Sequence, residues 1–206
     1  MAVTFTATTV ANAVGVQGDY PQELTSGHEG MLADLQAYVS RSYVNQSGAA
    51  LPFGRLVQSD TTPGTNDAYA VELAASATAN IAGIAIDSLT FEASSGSTYT
   101  GTPTAIRSDA AGTEHVGYPD KQTLNVLSKG VIWVYTVEAV SLGSDVRAFI
   151  TDQSAGTAGA DQGRFGATAS TGNTVLIGGA RWLSETTGAG LALLELDIPA
   201  STFTAD

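Results

Sequence analysis

Residues 131–140 read VIWVYTVEAV, and this stretch decides the fold class. In an extended chain Val131, Trp133, Tyr135 and Val137 fall on one face, while Ile132, Val134 and Thr136 fall on the other. β-branched and aromatic side chains suit a pleated backbone, and a strand apolar on both faces belongs to a buried sheet position. Core packing, rather than a platform for a ligand, is the expected role of Trp133 and Tyr135.

Working outward, strand signals recur at Val3–Val10, Leu56–Gln58, Ile81–Ile86, Leu124–Leu127, Val146–Thr151, Ala180–Leu183 and Leu191–Leu196. Gly, Asn, Asp or Ser clusters punctuate them at intervals typical of sandwiches and barrels. Helical periodicity is poor. Glu29–Ala37 gives two turns at most, with glycines just before it and the strand-favouring Val39, Tyr43 and Val44 just after. Ala68–Asn80 reads either as a short helix or as a strand followed by a loop. The expected fold is all-β, a mostly antiparallel barrel or sandwich. Residues 1–26 form an extended N-terminal arm, and 27–206 form one β domain with Gly/Ser/Thr-rich loop insertions near 59–66, 94–118 and 152–173.

Composition narrows the function. The chain has 206 residues, 43% of them hydrophobic and 14% charged, which is ample for a core and too apolar for disorder. Twenty acidic and eight basic residues leave a net charge of −12, the wrong sign for a nucleic-acid partner. No run reaches the roughly 18 to 20 apolar residues of a membrane span. The N-terminal MAVTFTATTV lacks the basic start and apolar centre of a signal peptide. Cysteine is absent, which removes disulfides, thiolate ligands and cysteine nucleophiles together.

The remaining catalytic patterns are not met. There is no phosphate-cradling loop, no dinucleotide fingerprint and no Gly-x-Ser-x-Gly elbow. His28 and Glu29 are adjacent and so point to opposite faces of an extended chain, which leaves His28 as a surface or interface residue; His115 reads the same way. Glu138, Glu195 and Asp197 lie on strands, with nothing to single out a hydrolytic pair. Asp152 and Asp161 share a Gly-rich loop with oxygen ligands to offer, but without EF-hand spacing. No cofactor and no metal site are expected.

Four stretches carry a resemblance. GHEGMLADLQAYVSRSYVNQSGAALPFGRLVQ (27–58) contains the Ala33-Asp34 step, Ser40-Arg41 and the turn Leu51-Pro52-Phe53-Gly54 leading into a strand. IAGIAIDSLTFE (81–92) is an aliphatic strand broken by glycine. LNVLSKGVIWVYTVEAVSLGSDVRAFI (124–150) pairs a basic-Gly-aliphatic-Trp hairpin with a Gly-Ser-Asp turn, and ARWLSETTGAGLALLELD (180–197) ends in an apolar strand. In their order and spacing these resemble the structural cement, or head decoration, proteins of tailed bacteriophages. That resemblance implies a non-enzymatic virion protein on the outer capsid surface, a homotrimer bound to the major capsid protein, with no catalytic residues to carry over. The candidate contact residues are Phe5, Tyr20, His28, Tyr43, Phe53, Tyr99, Tyr118, Phe165 and Trp182. The alternative is a carbohydrate-binding or adhesin-type β module, for which Trp133, Trp182 and the seven tyrosines are the attraction.

Overall fold

A computed structural model describes residues 27–34, 37–59, 69–76, 80–87, 107–108, 114–115, 117–152, 162–198 and 202–206. The expected arm, Val3–Val10 within it, and most of 59–66 and 94–118 lie outside the described residues. Among those described there are fifteen strands and no α-helix. In chain order they are β1 (Val39–Asn45), β2 (Leu51–Pro52), β3 (Leu56–Ser59), β4 (Ala70–Leu73), β5 (Ile81–Ala85), β6 (Arg107–Ser108), β7 (Glu114–His115) and β8 (Gly117–Tyr118). There follow β9 (Thr123–Thr136), β10 (Arg147–Phe149), β11 (Phe165–Gly166), β12 (Thr174–Gly178), β13 (Arg181–Trp182), β14 (Gly190–Asp197) and β15 (Thr202–Ala205).

The expected strands at 124–127 and 131–137 are one fourteen-residue strand, β9, around which everything else is arranged. Five strands close into a ring through the pairings β1–β4, β4–β3, β3–β5, β5–β9 and β9–β1, so the chain contains a small β-barrel. The C-terminal half of β9 leaves the ring and enters a second layer ordered β13-β14-β9-β11-β10-β12-β15. All pairings are antiparallel except β1–β4 and β9–β11.

Two bulges make this double duty possible. Opposite Ser40 and Val39 stand Leu127 and Lys129, so β9 carries one extra residue at Ser128. Opposite Val57 and Gln58 stand Gly83 and Ile81, so β5 carries one extra at Ala82. A one-residue insertion flips every later side chain to the other face. Leu124 and Val126 therefore face the barrel lumen, whereas Ile132 and Val134 join Leu127 on the outer face. On β5, Ala82 and Ala85 point into the lumen while Ile81 and Ile84 point out.

Two cores result. The lumen is filled from all five ring strands, by Tyr43, Val57, Val71, Leu73, Ala82, Ala85, Leu124 and Val126, with Leu51, Phe53 and Tyr118 added by β2, by the turn before β3 and by β8. The larger core lies between the barrel's outer wall (Leu56, Ile84, Leu127) and the second layer, where Ile132, Val134, Val146, Phe165, Ile177, Trp182 and Leu194 are fully or almost fully buried. The bulge in β9 also reverses one expectation. Ile132, Val134 and Thr136 form the fully buried face, while Trp133 and Tyr135 are half-buried on the opposite one. Glu29–Ala37 is not helical where described; Leu32 bridges Ile132 instead. Ala70–Leu73 resolves the other open stretch as strand β4.

Candidate functional site

Three of the sequence stretches quoted above converge where the N-terminal segment joins the barrel. Gly30 donates its N–H to the Trp133 carbonyl (2.8 Å), Trp133 donates to Met31 (2.9 Å), and Ala33 donates to Val131 (3.0 Å), so residues 30–33 run as an added edge along β9. Asp87 N–H donates to the Gly30 carbonyl (2.8 Å), tying the same segment to the end of β5. The Pro-Phe-Gly turn packs directly beneath. A side chain at Gly54 would meet Glu29 Cγ at 2.3 Å, and Gly54 has φ +69°, so glycine is required on two counts.

Charge reinforces this junction. Arg55 is almost wholly buried, with its Nε 3.3 Å from Glu29 Oε1 and an Nη1 hydrogen bond to the Gln162 carbonyl. His28 Nε2 lies 2.5 Å from Asp87 Oδ2, with the histidine side chain 54% exposed and the aspartate 9%. The neighbours His28 and Glu29 thus diverge to separate partners, as an extended chain requires. The arrangement fixes a segment to a scaffold. Among the described residues no group of three or more His, Asp or Glu side chains is placed to hold a metal ion.

The candidate contact residues separate into three groups. His28 is exposed and Tyr43 half-buried, with the Tyr43 ring 6.2 Å from that of Tyr69. Phe53, Tyr118, Phe165 and Trp182 are core residues, a correction to their reading as surface contacts. Phe53 and Tyr118 stack edge-to-face at 5.1 Å, and the Tyr118 hydroxyl donates to the Ile86 carbonyl (2.7 Å). Trp182 donates its indole N–H to the Asp145 carbonyl (3.2 Å). In each case a turn glycine or a short strand that reads as surface carries the ring inward. Phe5, Tyr20 and Tyr99 lie outside the described residues. Exposed apolar side chains that sequence reasoning passed over include Tyr38 and Val39 at the start of β1, Tyr69 beside β4, and Leu142 and Leu183. Alternation along β1 was the available signal, since its charged and hydroxyl residues already mark an outward-facing strand.

One acidic residue organises the far end. Glu138 follows β9 and accepts hydrogen bonds from the N–H groups of Ala167 (2.6 Å) and Thr168 (2.7 Å) and from the Thr168 hydroxyl (2.7 Å). Burial opposes its charge, but these bonds and the Arg147 guanidinium outweigh it and hold the carboxyl below its ordinary value of 4.5. Arg147 is itself clamped between Asp206 (3.0 Å) and Asp145 (2.9 Å). Because the folded pKa is lowered, the stabilisation is complete above the unfolded value and disappears as pH falls through the folded one. Glu138→Gln is therefore expected to lower stability by about 1–2 kcal/mol at neutral pH and to flatten the acid limb below about pH 4.5. Thermal melts between pH 3 and 7 check this; parallel curves for both proteins would refute it.

Comparison with known proteins completes the picture. No curated protein matches the sequence. The fold is similar to that of a chain in "The capsid of Myoviridae Phage XM1", with a TM-score of 0.57 at 21% identity, over 85% of this chain and 93% of that one. A family model described as "Structural cement protein (E217 gp24/Pam3 gp6)" matches residues 16–197, which takes in the junction, the barrel and the second layer through β14. The chain is thus a phage virion structural protein and belongs to the structural cement protein family.

Proposed function

We propose that this protein binds the outer surface of an assembled phage capsid, as a homotrimer that clamps neighbouring copies of the major capsid protein, and that it catalyses no reaction. The family match over 16–197 is the observation that carries the reading. Stabilisation then works by mass action: a protein that binds the shell and not its free subunits shifts the equilibrium toward the shell. Many weak, equivalent contacts suffice. The burial of Trp182 removes one of the two tryptophans on which a carbohydrate-binding reading depends.

A net charge of −12 lets ion pairing supply the affinity only where the shell is basic. Apolar and hydrogen-bonding contacts carry the interface, and the acidic excess faces solvent. Purified chain mixed with shells that lack it should decorate them, with copies per shell nearly unchanged between low salt and about 0.5 M, where the Debye length is only about 4 Å. Gel densitometry of sedimented shells gives the count. Absence of decoration would sink the proposed function, and progressive release with salt would sink its apolar interface.

A further inference from the structure

The two ends of the chain share a tetrapeptide: residues 4–7 and residues 202–205 both read Thr-Phe-Thr-Ala. The C-terminal copy is β15, which pairs antiparallel with β12 through Val175–Ala205, Leu176–Thr204, Ile177–Phe203 and Gly178–Thr202. Among the described residues β15 pairs with β12 alone and so ends the second layer. Asp206 donates its N–H to the Thr174 carbonyl, and Gly172 donates to the Asp206 carbonyl. Backbone groups alternate along a strand, so those of Phe203 and Ala205 point to the open edge. Phe203 packs against the larger core yet stays half-buried, leaving the rim of that core wet.

We propose that this open edge receives residues Thr4–Ala7 of a neighbouring copy as an additional strand. An exposed edge is a template for another strand, and the sequence that already fits this layer is the one repeated at the N-terminus. In the added strand Phe5 takes the same face as Phe203 and covers its open flank, a cross-strand aromatic pair. Residues 8–26 reach at most about 65 Å from the Gly27 junction, enough to cross between adjacent molecules. A donor segment and an acceptor edge make a head-to-tail contact, which gives a ring when the rotation between copies closes and a filament when it does not. The inference rests on the oligomeric part of the proposed function and names the contact that builds it.

The absence of cysteine gives a clean test. Full-length chains bearing Thr6→Cys or Thr4→Cys are mixed, without shells, with differently tagged chains bearing Thr204→Cys, an exposed position on β15. Mild oxidation should give mixed-tag disulfides at least about tenfold above those of a Gly188→Cys control, the scale set by a few backbone hydrogen bonds. Ala205→Pro removes an outward N–H and spares the β12 ladder, so it should abolish the cross-link without moving the melting temperature. Cross-linking at control level, or cross-linking that survives Ala205→Pro, would overturn the proposal. Since no shell is present, failure here is separate from failure to decorate.

Discussion

Gly83→Ala is expected to lower stability by about 4 kcal/mol, moving the melting temperature down by roughly 8–16 °C. Gly83 sits at the β5 bulge with φ +148°, and a side chain there would lie 2.0 Å from the Leu127 carbonyl oxygen and 2.8 Å from the carbonyl carbon. Neither atom can yield, because Leu127 belongs to the β9 segment that pairs with both β1 and β5. Strain in a glycine-only backbone region adds about 1–3 kcal/mol to a similar overpacking cost. Calorimetry decides the matter, with Gly143→Ala as control: nothing lies within 4 Å of that position, so its melting point should stay put. Equal melting of both variants would mean that β5 accepts a side chain at its bulge.

Trp182→Ala is expected to cost about 3–5 kcal/mol, the range for large buried aromatics. The side chain is 2% exposed in the larger core, where truncation leaves a cavity and strands the Asp145 carbonyl that its N–H satisfied. Trp133→Ala should cost less than half as much, because that ring is half-buried against Gly27, on the face opposite Ile132 and Val134. Fluorescence gives an independent readout, since the chain has two tryptophans. Trp182→Phe leaves Trp133 as sole emitter and should shift emission to longer wavelength. A blue-shifted spectrum from that variant would reverse the assignment of the two rings.

The same pair of tryptophans shows how far the residues alone could be read. Strand content was legible because Val, Ile, Thr and aromatic residues cluster between turn residues, and β3, β5, β9, β13 and β14 fall where those runs are. The facing of β9 was not. A period-2 pattern assumes an unbroken ladder, and the extra residue at Ser128 exchanges the two faces halfway along. Barrel closure was equally hidden, since β1 must meet β9 across some eighty residues of chain. The junction was legible as separate Gly-His-Glu-Gly and Pro-Phe-Gly motifs, but only the fold brings Glu29 to Arg55 and His28 to Asp87. The buried rings of Phe53, Tyr118, Phe165 and Trp182 misled because short strands and turns carry no periodicity from which an inward direction can be read.

The edge formed by residues 30–33 on β9 has a mechanical meaning. Its three backbone hydrogen bonds, Gly30 to Trp133, Trp133 to Met31 and Ala33 to Val131, lie side by side along one strand. Tension drawn along that strand through Gly27 loads all three at once, in shear, so they must break together. The same pull directed across the strand would open them one after another, like a zipper. For the capsid-binding role proposed above, the first geometry gives a grip that is strongest along one axis, so the direction of the pull decides how firmly the segment holds.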